Sequence, residues 1–248
     1  MNRSIKFLLL TLIAPLTLSA QDKFQISVEA GQVWQLRNDL QIPNDDAGTR
    51  IELDEIDQGP EGFYRLEGYY RPAKNYGFRV LYAPLTLKLS NTPDSSVNFN
   101  DRTFSAGSEI DYEFKFNSYR LTWFYAFWGH GDEQFNLGFT GKIRDADTKL
   151  SQGSTSTNYD NVGFVPLLYL EYLKPLSDKW SFHFSFDGLA GGPGRAFDFA
   201  FKLRRDFDKY GALGAGLRTL EGGADNDKVY SFAFFQYALL EWSIGFGG

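Results

Sequence analysis

One short segment carries three side chains whose types and spacing could support nucleophilic catalysis. His183, Ser185 and Asp187 alternate with apolar residues, so an extended backbone would place all three on one face. Neighbours on such a face are roughly 7 Å apart at the backbone, close enough for a histidine to reach and activate a serine hydroxyl. Polar residues on one face of a strand more commonly line a polar interior, and we therefore predict no catalytic residue here.

In nearly all the remaining segments that alternate between apolar and polar residues, ionisable residues of both signs occupy the polar face. An isolated charge in a narrow space of low dielectric constant is strongly unfavourable, so we expect these residues to pair with one another and to plug the interior. Because basic members outnumber acidic ones, a narrow conduit that prefers anions is the alternative. The predicted interior charges are Arg65, Glu67, Arg79, Arg120, Lys142, Arg144, Glu171, Asp187, Asp198, Lys202, Arg204, Arg218 and Glu241.

A two-residue alternation of apolar and polar side chains predicts the strands that position these groups. Phe182, Phe184 and Phe186, for example, oppose Ser181 and His183. Short links alternate with mostly longer polar ones, which predicts an all-β, up-and-down antiparallel barrel of about ten strands, with eight or twelve as alternatives. The short links are 72–75, 129–133, 174–179 and 206–209, and the others are 38–60, 88–109, 150–160, 190–195 and 221–228.

The segment 109–128 interrupts this regularity. Its apolar side chains move from even to odd positions near Asn117. An extra residue in one strand shifts the alternation in this way, so we predict a β-bulge at that point.

Bulky apolar side chains dominate one face of the strands, and charges dominate the other. Side chains already fill the interior of an eight-stranded barrel, so a small soluble β-sandwich or lipocalin-like barrel could not hold the aromatic set inside. Facing lipid, these residues need no interior volume, which predicts a barrel that spans the bacterial outer membrane. Aromatic residues near the short links should form a belt at the periplasmic interface. They are Tyr70, Tyr76, Trp128, Phe135, Tyr172, Trp180, Phe207 and Tyr210.

The first 20 residues have the features of a secretory signal peptide. Arg3 and Lys6 precede the mostly apolar segment 7–18, and Ala20 offers a small residue at the cleavage point. This apolar segment is shorter than the about 20 residues that a spanning helix requires. We therefore assign residues 1–20 to a signal peptide and residues 21–248 to the barrel domain.

The composition argues against several classes of function. With 25 basic and 31 acidic residues the net charge is −6, which disfavours nucleic acid as a partner because phosphate binding needs a basic face. The chain has no cysteine, and we predict neither a cofactor nor a metal. The outer links are acidic, which indicates a solvated surface, with a site for Ca²⁺ or a basic partner as the alternative. Their acids are Asp45, Asp46, Glu52, Asp54, Glu55, Asp57, Asp225 and Asp227.

The last strand resembles the C-terminal recognition segment of outer-membrane barrels. Residues 230–246 alternate and end on the aromatic Phe246, although two glycines follow it. The segments 187–198 and 218–227 are similar to loops of a family of uncharacterised proteobacterial outer-membrane barrels. The resemblance implies fold and location, recognition of the last strand by the barrel-assembly machinery, and contact with membrane lipid and lipopolysaccharide.

Two enzyme families share single features with the chain. The spacing of His183 and Ser185 resembles that of outer-membrane lipid A deacylases, in which a histidine activates a serine. A ten-stranded barrel is also similar to the omptin proteases, which place aspartates and a histidine near the outer rim. The histidines of this chain are His130, in a predicted periplasmic turn, and His183, within a strand, and neither follows an aspartate by two positions.

The sequence therefore predicts an outer-membrane barrel of structural or narrow-pore type, with a charged and partly plugged lumen. The alternatives are a lipid-modifying enzyme of the deacylase kind, and a surface receptor or adhesin that uses the acidic outer links. The solute, the ligand and the oligomeric state do not follow from the residues.

Overall fold

The computed structural model describes residues 22–129, 133–192 and 194–247. The predicted signal peptide 1–20, His130 and Pro193 lie outside these ranges, so the signal peptide stays a prediction.

Antiparallel strands make up 76% of the described chain. The first half contains β1 (Phe24–Gln41), β2 (Ile51–Glu52), β3 (Glu61–Ala73), β4 (Tyr76–Ala83), β5 (Thr86–Asn91), β6 (Val97–Phe99), β7 (Arg102–Phe104) and β8 (Ile110–Trp128). The second half contains β9 (Gln134–Gln152), β10 (Thr155–Pro175), β11 (Trp180–Gly191), β12 (Gly194–Asp206), β13 (Ala212–Asp225) and β14 (Tyr230–Phe246). A single helical turn, α1 (Leu53–Ile56), and a 3₁₀ turn at Asp208–Tyr210 complete the described elements, and neither is long enough to cross a membrane.

The strands close into a barrel. Each principal strand pairs with its neighbour along the chain, and β14 pairs with β1 from Phe24 opposite Phe246 to Gln41 opposite Tyr230. Both β4 and β5 pair with β8 in one continuous register, so they form a single barrel strand that is interrupted at Pro84, which has no backbone N–H to donate. The described residues thus form the predicted ten-stranded antiparallel barrel.

The outer surface of the barrel carries an apolar band of the height of a membrane. On β12 the outward residues between Arg205 and Arg195 are Leu203, Phe201, Phe199 and Phe197. The two arginines are ten positions apart, about 34 Å along the strand and about 26 Å along the membrane normal at a tilt of about 40°. This matches the apolar band of about 25 Å in transmembrane barrels. Leu240, at 69% exposure, and Phe139, at 64%, belong to the same band.

The predicted bulge near Asn117 is wrong. The pairing of β8 with β9 runs from Asp111 opposite Ser151 to Trp128 opposite Gln134 without a shift. Even-numbered side chains face inward throughout, so Tyr112 and Phe114 lie inside the barrel above Ser118 and Arg120. The alternation changes because the interior turns from polar to apolar along the strand, and the backbone stays regular.

The apolar interior at the outer end is a packed cluster, which we call the outer core. It joins side chains of the barrel strands to α1 and to the β6–β7 hairpin, which lie over the barrel mouth. Its buried members are Val33, Leu40, Ile42, Ile51, Leu53, Phe63, Leu85, Leu87, Leu89, Val97, Phe99, Phe104, Ile110, Tyr112, Phe114, Leu150, Leu220, Phe235, Tyr237 and Leu239. The loops of the outer end therefore fold back into the barrel axis.

A bulge does occur, in β1. The register against β14 shifts between Gln35 and Arg37, and the extra residue, Leu36, is exposed. Beyond it Asn38 and Leu40 face inward, while Arg37 turns outward. Uninterrupted alternation with Gln35 would have placed Arg37 on the inner face, and the bulge reverses this.

The links differ from the predicted ones mainly at the outer end. The short turns between β3 and β4, β10 and β11, and β12 and β13 lie within or next to the predicted short links. The predicted outer link 150–160 is wrong, because β9 and β10 stay paired up to Gln152 opposite Thr155. Backbone hydrogen bonds continue the hairpin beyond the membrane, so strand length provides much of the outer extension.

Candidate functional site

A connected network of ion pairs fills the middle of the barrel. Asp198 on β12 accepts from Arg218 at 2.6 Å, from Arg120 at 2.7 Å and from Arg65 at 3.2 Å. Glu29 on β1 shares two of these arginines, at 2.8 Å from Arg218 and 3.5 Å from Arg65. Each of these side chains is at most 4% exposed. Strands from opposite walls of the barrel thus meet at two carboxylates.

The network continues in both directions. Lys202 lies 2.7 Å from Glu29 and 2.8 Å from Glu241, and Arg204 donates to Glu241 at 2.6 Å. In the other direction Arg120 bonds Asp187 at 2.9 Å. Asp187 also accepts from Arg79 at 2.5 Å and from Thr140 at 2.6 Å. These contacts link the walls of the barrel across its axis, and they satisfy the charges that burial would otherwise penalise.

His183 pairs with Glu171, the residue directly opposite Ser185 in the pairing of β10 with β11, and not with the serine itself. Its Nε2 lies 2.7 Å from Glu171 Oε1, and Glu171 also accepts from Asn136 at 2.6 Å and from Tyr69 at 3.2 Å. No hydrogen bond joins His183 to Ser185 or Ser185 to Asp187 among the described residues, and all three side chains are buried in the lumen. The geometry lacks the nucleophile–base contact that a serine mechanism uses.

Most of the predicted interior charges lie where the alternation places them. Four members stand outside the ion-pair network: Glu171, which pairs with His183 instead, and the three that follow. Among the described residues, Lys142 has no carboxylate within 4.0 Å, and its ammonium lies over the Phe116 ring at 4.8 Å. Glu67 is buried and accepts from the Tyr69 hydroxyl at 3.1 Å. Arg144 is half-buried and bonds the amide of Asn161.

The predicted set omits one essential member. Glu29 has no exposed surface and contacts three cations, Arg65, Lys202 and Arg218. The alternation between Val28 and Ala30 already indicated its inward position, so the signal for it was present in the sequence.

Three aromatic side chains, which we call the aromatic layer, pack against the network inside the lumen. Tyr69, Phe124 and Tyr169 are buried together near the short turns. The guanidinium of Arg79 lies 4.4 Å from the centre of the Tyr169 ring, and that of Arg71 lies 5.1 Å from the centre of the Tyr69 ring. Such cation–π contacts tie the aromatic layer to the charges next to it. Together with the outer core above, these rings fill the interior around the ionic network.

The acids of the outer links mainly order the backbone. Asp54 accepts from the N–H of Asn38 at 2.7 Å, Asp45 from Ala47 at 2.9 Å, and Asp57 from Gly59 at 2.9 Å. The proximity of Glu55 raises the pKa of Glu52 above its ordinary value. No group of three or more potential metal-ligating side chains occurs within the described ranges. These contacts are those of folded turns.

Comparison with known proteins supports the fold. No known family model matches the chain, and no curated protein matches it. The structure is similar to the outer-membrane protease OmpT of Escherichia coli, with a TM-score of 0.53 and 7% identity over 92% of this chain and 99% of that one. It is also similar to Ail, the attachment invasion locus protein of Yersinia pestis, with a TM-score of 0.41 and 11% identity over 89% and 99% of the two chains.

At these identities the comparisons bear on the fold alone. The likeness to the protease agrees with the features already described, namely ten antiparallel strands, an apolar outer band and buried interior charges. The chain is a ten-stranded β-barrel of the bacterial outer-membrane type.

Proposed function

We propose that this outer-membrane barrel has a structural role and that its lumen is plugged. The observation that carries the proposal is the filled interior of the barrel: the ionic network, the aromatic layer packed against it and the outer core above. An ion that entered would have to break paired charges and then cross an apolar layer, both of which are strongly unfavourable.

Rigidity is the property that this interior would provide. Asp198 and Glu29 connect β1, β3, β8, β12 and β13 through direct ion pairs. The outer core then holds α1 and the β6–β7 hairpin in fixed positions over the mouth. A rigid barrel that presents an ordered outer surface fits a scaffold.

The narrow anion-preferring pore is the competing function. Lys142 supports it, because this buried cation has no acidic partner among the described residues. Recording from the purified mature protein in planar bilayers separates the two, once heat-modifiability on gels confirms a folded barrel. The plugged scaffold predicts no resolvable unit current, whereas a steady, anion-selective unit current would establish the pore.

The enzymatic alternative requires a different arrangement. A lipid-modifying serine must meet both its histidine and the lipid, but His183 bonds Glu171 in the lumen. Mass spectra of lipid A from membranes that contain the barrel test this point. We expect unchanged acyl chains, and a loss of acyl mass that depends on Ser185 would support the enzyme.

We also propose that the last strand is the segment recognised by the barrel-assembly machinery. Phe246 lies at the end of β14, and its ring stacks on Phe24 of β1 at 5.9 Å between centroids. The pairing that this terminus makes is the one that closes the barrel.

A further inference from the structure

Three arginines gather on the outward face of the barrel at the outer edge of the apolar band. Arg37 lies on β1 just beyond the bulge, Arg195 on β12, and Arg50 in the link before β2. Arg195 marks the outer limit of the band on its strand, ten positions from Arg205 at the periplasmic limit. The three guanidiniums therefore lie at the level of the outer-leaflet headgroups.

Two aromatic rings of β14 hold the arginines together. The guanidiniums of Arg37 and Arg195 lie 5.5 and 4.8 Å from the centre of the Phe232 ring. The guanidinium of Arg50 lies 3.3 Å from the centre of the Tyr230 ring, and the Tyr230 hydroxyl accepts from Arg37 at 2.7 Å. Stacking on rings fixes the planes of the guanidiniums and leaves their edges available for an oxyanion.

Gly223 makes room for this arrangement. It lies on β13 between Arg195 and Phe232 in the pairing order, and a side chain at this position would collide with the Phe232 ring. The ring can thus extend across the neighbouring strand between the two arginines.

The charges of the cluster do not balance. Arg37 pairs with Asp39 at 2.7 Å and Arg195 with Glu221 at 2.7 Å, whereas Arg50 donates to the uncharged Gln41 at 3.0 Å. Within the described residues, both terminal nitrogens of Arg50 and Nη1 of Arg37 have no protein acceptor. One positive charge and several donors remain at a membrane surface.

We propose that Arg37, Arg50 and Arg195 form a binding site for a phosphate group of a glycolipid in the outer leaflet. The planar donors of arginine match a phosphate monoester in a bidentate manner. The outward apolar residues directly below, Phe197, Phe199 and Phe234, would lie beside the acyl chains of the same lipid. The proposal concerns the outer surface and is independent of whether the lumen conducts.

The test is binding of bisphosphorylated lipid A to the full mature chain in detergent, measured by native mass spectrometry. We expect Arg195→Gln to weaken binding about tenfold, equivalent to about 1.4 kcal/mol, and the triple change with Arg37→Gln and Arg50→Gln to weaken it at least 100-fold. Arg205→Gln is the matched control, because this outward arginine of the same strand also lies over two rings, at 5.6 and 5.2 Å. It should leave binding unchanged.

Two further arms identify the ligand. Lipid A without its phosphates should bind the unaltered chain and the triple variant equally weakly. Millimolar inorganic phosphate should fail to displace the phosphorylated lipid, and displacement would overturn the assignment to a glycolipid. Equal losses with Arg205→Gln and Arg195→Gln, or full binding by the triple variant, would overturn the site itself. Because all the substituted side chains point outward, heat-modifiability should confirm that each variant barrel is folded.

Discussion

Lys142 and Lys202 are both buried lysines of the lumen, but their surroundings differ. Lys202 lies between Glu29 and Glu241, at 2.7 and 2.8 Å. Lys142 faces the Phe116 ring and lies opposite Arg120 in the pairing of β8 with β9. A buried charge is tolerated when it is paired, and removing one partner of a buried pair leaves an uncompensated charge. At the scale of the residue, pairing therefore decides which charges stabilise the barrel.

We expect opposite effects from two equivalent substitutions. Lys202→Met should lower the free energy of unfolding by about 3–5 kcal/mol, because it removes one cation from each of two buried carboxylates, Glu29 and Glu241. Lys142→Met should be neutral or stabilising by about 1 kcal/mol, since it removes a charge that has no acidic partner among the described residues. Urea unfolding in lipid vesicles, followed by tryptophan emission, measures both. Equal losses would show that Lys142 has a partner.

Strand β8 shows how one element serves two environments. Its inward face is polar at Ser118, Arg120 and Thr122, and becomes apolar at Tyr112 and Phe114 within the outer core. Because a shift of one residue exchanges the two faces of a strand, the register of β8 has to hold across both regions. In β1, by contrast, the alternation does shift once, at the bulge, and the extra residue Leu36 is turned outward.

Two single-residue deletions should therefore differ. Deleting Leu36 removes the bulged residue and leaves Gln35 and Asn38 facing inward, so we expect a folded barrel with a loss of about 1–2 kcal/mol, within the usual range for a point change. Deleting Asn117 turns Tyr112 and Phe114 outward on β8, so the outer core should not form. Heat-modifiability and urea unfolding report the outcome. A folded, stable barrel without Asn117 would contradict the continuous register.

The whole molecule has two apolar regions, and each is apolar for a different physical reason. The outward band faces hydrocarbon, and its apolar residues require no packing partner within the chain. The outer core is packed in the way of a soluble protein, around α1 and the β6–β7 hairpin beyond the membrane. The ionic network packs against both the outer core and the aromatic layer, where water has little access. This division explains why apolar residues face outward in one part of a strand and inward in another.

Tryptophan emission can test the outward band directly. Four of the five tryptophans lie on the outward face: Trp34, Trp123, Trp180 and Trp242. The fifth, Trp128, ends β8 at the periplasmic side, in the inward register of Phe124 and Ala126. Trp123 is central in the band, between Tyr119 and Phe127 on the same face. We expect lipids brominated deep in their acyl chains to quench the unaltered protein strongly, and a Trp123→Phe variant less. Quenching by aqueous iodide that exceeds quenching by brominated lipid would contradict the membrane-facing orientation.

The sequence alone determined about ten strands, their antiparallel order and, along most of each strand, which face meets lipid. It did so because a strand alternates with a period of two, so that Phe199 and Lys202, for example, must point to opposite sides. Most interior charges followed from the same periodicity. Glu29 follows the same periodicity, although the predicted set of interior charges omits it.

Only the tertiary structure decided what those faces meet. Periodicity places Tyr112 and Phe114 on the same side of β8. It does not show whether that side faces lipid or a packed core, since both of these surroundings are apolar. Periodicity also could not predict that His183 bonds Glu171 and not Ser185, or that Lys142 has no acidic partner among the described residues, because such contacts depend on how side chains of different strands meet in the lumen. The gathering of Arg37, Arg50 and Arg195 depends on the bulge at Leu36 and on barrel closure, which bring the two ends of the chain together.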